Sequence, residues 1–384
     1  MDYFGREELR ELLAVPVPPA ISIYMPTHRT GAEVEAQPLR FRAAVGEAER
    51  LLGTDGVAKD VRVVLDELEE MARDREFWRH QADGLAVFAC AEMRRVYRLA
   101  AALPRLVVVG PTFHTRPLLE LLQAPDRFWV LSLSRKRVRL WGGDSARLAP
   151  VRLEPGSVPT SLEDALGEPA SRPSLGFRSP RGHGSVKPHH GHGAGKDDSR
   201  SELERYFRLV DAGVRELLSD EIGPVVLAAV DYYHPMYRSV SRIENLAPEG
   251  IHGNVDAWGA ERLHAAAWPV ARASVEAKLG QALELWESSF GRGKGEVEIA
   301  TVGRLAAAGR VRLLLTERGR RIWGALDPGT GAIRVVREDG PDPGRDTVEL
   351  LDELAEMTLR HGGRALVLPS DRMPTTTGLA AVLR

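Results

Sequence analysis

The stretch GHGSVKPHHGHGAGKDDSRSELERYFRLV, residues 182–210, joins two segments of different chemistry. The first holds glycines at 182, 184, 191, 193 and 195 and histidines at 183, 189, 190 and 192, with no hydrophobic period. Such a segment cannot bury enough apolar surface to offset the entropy of ordering it, so the pattern predicts a mobile surface loop. Ser199-Arg200-Ser201-Glu202 then has capping-box spacing, a hydroxyl at the N-cap and a carboxylate three residues on. It predicts a helix starting at Ser199. Leu203, Phe207, Val210, Val214 and Leu217 recur at helical spacing behind it. The stretch reads as a basic finger rooted on the first turn of a firm helix.

Upstream, Phe128–Leu133 and Arg137–Trp141 read as a hairpin around the basic turn Ser134-Arg135-Lys136. The hydrophobic signal is thin from Glu154 to Asp198, and a loop over 155–198 is expected to be functional or disordered. Downstream, Pro224–Val230 is a buried strand ended by Asp231-Tyr232-Tyr233-His234-Pro235. These elements form a central region, 126–255. The region before it, 1–125, alternates strands and helices: a helix at Leu9–Leu13, a strand at Ala20–Met25, a polar turn from Thr27 to Pro38, helices at Leu39–Leu52 and Val61–Arg75, strands at Gly84–Ala89, Val96–Ala100 and Leu106–Val109, and a helix at Leu118–Leu122. The region after it, 256–384, has helices at Trp258–Trp268 and Ala271–Phe290 broken or kinked near Pro269, a short helix at Thr301–Ala308 and strands at Val311–Leu315, Arg321–Leu326 and Ile333–Val336. A helix at Thr347–His361, a strand at Ala365–Pro369 and a C-terminal helix at Gly378–Leu383 complete an α-β-α pattern. The fold class is α/β in three domains.

The chain has 384 residues and a formal net charge of -2, which argues against a uniformly basic nucleic-acid-binding protein and leaves RNA contact to a local patch. Cys90 is the only cysteine, so an intrachain disulfide and a cysteine-based zinc site are excluded. The opening MDYFGREELRELL reads as an amphipathic helix and not a signal peptide, and no apolar run approaches membrane-spanning length. The expected compartment is the cytoplasm, with no membrane partner.

A P-loop over Gly191–Lys196 fails on spacing: the first glycine of that motif falls on His190, and Asp197 stands where a hydroxyl is needed. The histidine cluster is too tightly spaced to converge easily on one metal and lacks an added ligand, so no metal or other cofactor is expected, although a metal-binding or stress-interaction protein stays open. The electrostatic reading is stronger. Arg172, Arg178, Arg181, Lys187, Lys196 and Arg200 outweigh Asp197 and Asp198. Glycines let backbone amides approach phosphates, and histidines stack on bases. The expected RNA-binding set is Arg181, Gly182, His183, Lys187, His189, His190, Gly191, His192, Gly193, Gly195, Lys196 and Arg200. Asp231, with Asp126 and Asp144 nearby, lacks the convergence a two-metal nuclease needs, and reads as a turn-capping residue. Cys90, Trp141, Trp268 and Trp323 read as core, and no catalytic residue is assigned.

Taken in order, Ile21-Ser22-Ile23-Tyr24-Met25-Pro26-Thr27-His28-Arg29, Gln37-Pro38-Leu39-Arg40-Phe41, then HHGHGAGKDD, ELERYFRLVD, VDYYHPMYR and AAAWPVA resemble the bacterial proteins related to archaeal and eukaryotic class-1 release factors, of the type called family three. The resemblance implies an N-terminal α/β domain, a ribonuclease-H-like central domain without nuclease chemistry, and a C-terminal domain similar to kink-turn-binding ribosomal proteins. In release factors a Gly-Gly-Gln loop precedes a long helix of the central domain and positions the water that cleaves peptidyl-tRNA. The equivalent place here, Gly182–Lys196, has no Gly-Gly-Gln. The resemblance therefore implies a ribosome-binding factor of Pelota type, in rescue, hibernation or termination, that contacts ribosomal RNA or tRNA without cleaving the ester. By analogy it implies a translational GTPase partner. The enzymatic alternative is a peptidyl-tRNA hydrolase with a loop histidine as general base.

Overall fold

The computed structural model describes residues 4–14, 18–31, 33–53, 59–123, 127–167, 194–219, 221, 223–340 and 347–384. It is a mixed α/β protein with several sheets. Compactness divides it into two units: 1–124 together with 278–384, and 125–277. Residues 256–277 group with 125–255 in the second unit.

The N-terminal segment runs α1 (Arg6–Ala14), β1 (Ala20–Pro26), α2 (Glu33–Leu52), α3 (Lys59–Arg73), α4 (Arg75–Arg79), β2 (Gly84–Ala89), β3 (Arg94–Leu99), β4 (Leu106–Gly110) and α5 (Arg116–Gln123). Its sheet has the order β3-β2-β1-β4, with each neighbouring pair antiparallel. Alternate residues of β1 serve opposite faces, as a pleat requires. Ile21, Ile23 and Met25 pack with Phe41, Leu68 and Trp78 of the helices, while Ala20 and Tyr24 join a second cluster. The polar turn predicted to reach Pro38 ends sooner, because α2 starts at Glu33 and carries Pro38 inside it. Proline has no N–H for the carbonyl of Val34. The amide nitrogen of the buried Gln37 approaches that carbonyl at 3.4 Å, while its oxygen accepts from the His28 backbone at 3.0 Å.

The central unit runs β5 (Phe128–Leu133), β6 (Val138–Gly143), β7 (Leu148–Pro150), α6 (Leu162–Leu166), α7 (Ala194–Leu217), β8 (Val225–Ala229), α8 (Tyr233–Val240), β9 (Leu246–His252) and the first part of α9 (Ala260–Phe290). The sheet order is β7-β6-β5-β8-β9, antiparallel on the β7-β6-β5 side and parallel from β5 through β9, the layout expected of a ribonuclease-H-like sheet. Trp129, Leu131 and Leu133 face α7 and α8, whereas Phe128 and Val130 face Leu263, Ala267 and Ala271 of α9. The predicted hairpin is β5–β6. Helix α7 begins at Ala194 and not at Ser199. A hydroxyl residue costs little within a helix, so cap-like spacing permits a start without forcing one. Helix α9 runs through Pro269 as one element, so the break is not seen there. Helix α8 and strand β9 were not anticipated.

The remainder of the first unit contains the second part of α9, then β10 (Gly295–Glu296), α10 (Ile299–Ala307), β11 (Val311–Glu317), β12 (Ile322–Leu326), β13 (Ile333–Glu338), β14 (Val348–Glu349), α11 (Leu350–Arg360), β15 (Arg364–Leu368) and β16 (Leu379–Leu383). The sheet β10-β16-β11-β15 has Ala282 and Trp286 of α9 on one face and α11 on the other, an α-β-α sandwich. The predicted C-terminal helix is instead β16, antiparallel to both β10 and β11. Alanine favours helix only weakly, and burial at the middle of a sheet overrides it. Helix α11 is buried from Leu350 to Thr358 and shares one core with the N-terminal segment, including Phe88, Phe113 and Leu118.

Candidate nucleic-acid interface

The hairpin turn between β5 and β6 is held by its own serine. The hydroxyl of Ser134 accepts from the amides of Lys136 (3.2 Å) and Arg137 (3.1 Å), and its amide donates to the carbonyl of Arg137 (3.0 Å). The carbonyl of Ser134 accepts from the Tyr206 hydroxyl of α7 at 2.7 Å, and the carbonyl of Arg135 accepts from Leu162 of α6 at 2.9 Å. With the backbone fixed on both sides, Arg135, Lys136 and Arg137 are exposed side by side. Burial raises the Tyr206 phenol pKa, so this hydroxyl stays a donor.

Helix α7 supplies the facing wall. Leu203, Phe207, Val210 and Val214 bury the stripe read from the sequence, with Tyr206 beside them. Arg200 is exposed and pairs through Nε with Glu204 at 3.3 Å, an arrangement worth little in water. Helix α8 supplies the third wall. Consecutive tyrosines divide the work: Tyr233 packs edge-on against Phe207 at 4.9 Å between ring centres, while Tyr232 is 56% exposed. Burial pushes the Tyr233 phenol up to about 12, beside the Tyr232 hydroxyl and against the pull of Arg135. Arg135, Arg200, Leu203, Tyr232, Pro235, Met236 and Ser239 enclose a cavity of about 480 Å³. This collection of cations around an exposed aromatic ring suits a phosphate-bearing, stackable ligand.

A second polar group lies where β8 and β9 end. Asp231 does not cap its own turn through its carboxylate; that group meets Nδ1 of His252 at 3.0 Å. The His252 ring stacks on His234 at 4.0 Å, 16° from parallel. Nε2 of the buried His234 lies 3.1 Å from the carbonyl of Ala229 and 3.2 Å from that of Ile251. That nitrogen therefore carries the proton, and burial lowers the ring's pKa. The ring fits because residue 250 is glycine: a Cβ there would stand 2.5 Å from Cε1 of His234. Asp144 spends its carboxylate on the amides of Ala146 and Arg147, and Asp126 lies outside the described residues. Among the described residues no three metal-ligating side chains converge.

Of the RNA-binding set read from the sequence, Arg181, Gly182, His183, Lys187, His189, His190, Gly191, His192 and Gly193 lie outside the described residues. Gly195 and Lys196 fall in the first turn of α7, and Arg200 reaches the cavity. Tyr232, Pro235, Met236 and Ser239 were missed; the one available signal was a pair of tyrosines directly after a buried strand. Cys90, Trp141 and Trp323 are buried, and Trp268 packs on Phe128, in agreement with their core reading. No helix among the described residues is long and apolar enough to cross a membrane.

No curated protein matches the chain in sequence. Among solved structures it is similar to an archaeal translation termination factor, aRF1 (15% identity, TM-score 0.26, covering 99% of this chain and 98% of that one). It is similar to Dom34 of S. cerevisiae, a translation termination-like factor (12% identity, TM-score 0.40, 79% and 74%). It is also similar to archaeal Pelota from a ribosome-bound assembly with ABCE1 (12% identity, TM-score 0.37, 76% and 72%). Residues 127–310, which include the basic turn, α7 and the cavity, match the model of Bacterial archaeo-eukaryotic release factor family 3.

Proposed function

We propose that the protein is a translation factor of release-factor or Pelota type that works on the ribosome. The observation that carries this reading is the family match over 127–310, the same span that presents Arg135, Lys136, Arg137 and Arg200 around an open cavity. In this proposal the factor occupies the A site in rescue, hibernation or termination. Arg181, Lys187, His189, His190, His192 and Lys196 contact ribosomal RNA or tRNA together with the basic turn. The absence of Gly-Gly-Gln from the sequence supports action without ester hydrolysis. A translational GTPase and a cytoplasmic location belong to the same proposal. So does a division into three domains, with the first unit formed by two of them docked together.

Cosedimentation with ribosomes over a salt series tests this. Phosphate contacts release counterions, so binding should fall steeply as salt rises. The triple variant Arg135→Ala/Lys136→Ala/Arg200→Ala should bind more weakly and with a shallower salt dependence. Absence of the wild type from the ribosomal pellet at low salt, or pelleting insensitive to salt, would overturn the proposal. Release of peptide from loaded ribosomes at a rate above background would overturn the non-hydrolytic part alone.

A further inference from the structure

The cavity of the central unit is too small for a duplex and large enough for a single residue of one. At about 480 Å³ it falls in the range of small-molecule sites. Its lining combines apolar walls (Leu203, Pro235 and Met236), an exposed aromatic ring (Tyr232), a hydroxyl (Ser239) and two guanidinium groups (Arg135 and Arg200). Among the described residues no carboxylate lines it, which disfavours a cationic ligand. Glu204 engages Arg200 through Nε at 3.3 Å, and a guanidinium carries further donors in fork geometry. Arg135 is positioned by the Ser134 turn and lies close enough to the Tyr233 hydroxyl to pull its pKa down. A flat ring with an anion attached matches this lining on both counts.

We propose that the cavity takes one unstacked nucleotide of single-stranded RNA, its base against Tyr232 and its phosphates on Arg135 and Arg200. The proposal rests on the reading of this unit as RNA-facing and adds what it recognises. Stacking on tyrosine is open to every base, so recognition is of an extruded residue and not of a sequence. Lys136 and Arg137, next along the turn, continue the positive track for neighbouring phosphates.

The test uses the full chain and two fluorescein-labelled RNA pentamers, one of uridines and one with its three central positions abasic, compared by fluorescence anisotropy at low salt. The uridine pentamer should bind about tenfold more tightly, because only it supplies a base to stack. Tyr232→Ala should remove that preference and leave salt-sensitive binding of the abasic probe unchanged, while Tyr232→Phe should keep the preference. Tyr232 is exposed, so truncating it leaves the core intact. Equal binding of the two pentamers by the wild type, no binding of either, or a preference that survives Tyr232→Ala overturns the proposal. So does a peptide that competes for the cavity while uridine and abasic pentamers do not differ. A chain that pellets with ribosomes but does not distinguish the pentamers refutes the pocket and spares the proposed function. One that distinguishes them but does not pellet does the reverse.

Discussion

Arg116 joins the two halves of the first unit, and its removal gives a sharp test of how they are held. The side chain is 6% exposed and lies 3.3 Å from the carboxylate of Glu349, whose side chain is 1% exposed. It also donates to the carbonyls of Glu317 and Arg320. Breaking a buried pair by deleting one partner costs about 3–5 kcal/mol, because the other charge is left in low dielectric. Here the lower end applies. Glu349 also accepts from the amides of Ile322 (2.9 Å), Asp352 (2.9 Å) and Leu351 (3.4 Å), which partly hold its charge without the arginine. Arg116→Met keeps most of the buried stem and removes the guanidinium, so it should cost the first unit about 3 kcal/mol. Glu349→Gln should cost less, about 1–2 kcal/mol, since an amide oxygen still accepts from those backbone donors. Combined, the two should lose about 1.5–3 kcal/mol less than their sum, the coupling expected of contacting charges. A chain of two units need not unfold in one step, so native-state amide exchange at Thr115 and Ile322 is the appropriate reading, being local to this unit. A cost below about 1 kcal/mol for Arg116→Met, or additive single effects, would refute the claim that this pair locks the segments together.

The same junction should make stability depend on pH. Burial raises Glu353 to about 7, and raises Glu356 well above the usual carboxylate range with Asp352 and Glu353 adding to the effect. Both bind protons more tightly folded than unfolded, so their contribution is complete below about pH 4.5, and that of Glu353 is lost as pH rises through 7. For Glu353 alone the loss is on the order of 3 kcal/mol. The first unit should melt lower at pH 8.5 than at pH 6, and Glu353→Gln should flatten that difference; a flat wild-type profile would contradict it. Gly250→Ala places a Cβ 2.5 Å from His234 and 2.6 Å from the carbonyl of Leu227, and should destabilise the central unit by about 1–3 kcal/mol in a thermal melt. Tyr206→Phe removes the hydroxyl that holds the basic turn and should cost about 1 kcal/mol while weakening cosedimentation with ribosomes, whereas equal pelleting would separate the turn from binding.

Most elements of the fold were legible because their hydrophobic spacing is strong, as in the stripe of α7 or the alternation of β1. The failures have a common cause: a distant partner decided the outcome. Leu379–Leu383 has the small residues of a helix, yet it fills the gap between β10 and β11 and pairs antiparallel with both. In α11 the carboxylates at 352, 353 and 356 are buried, and His114, Thr115 and Arg116, more than two hundred residues earlier, bring polar groups to them. Asp352 accepts from the amides of Thr115 (3.0 Å) and Arg116 (2.6 Å), capping α5 from another segment, and lies 3.2 Å from His114. No local pattern carries that information.

The candidate site was half legible for a related reason. Arg135, Lys136 and Arg200 announce themselves as charges, but a charge run is ordinarily a solvated face, and nothing in the sequence says that the hairpin turn and the start of α7 share a cavity. The decisive residue is the one whose neighbours consume the burial. Strand β8 ends at Ala229, and the three aromatic rings that follow compete for the space beneath α7 and beside β9. Tyr233 takes the pocket against Phe207, and His234 takes the slot that Gly250 leaves open. Tyr232 is thereby displaced to the surface, although its side chain is as apolar as that of its neighbour. A tyrosine held outside by packing, with two arginines fixed around it, is a ring kept available for a ligand, and that argument needs the partners of Tyr233 and His234 before it can be made for Tyr232.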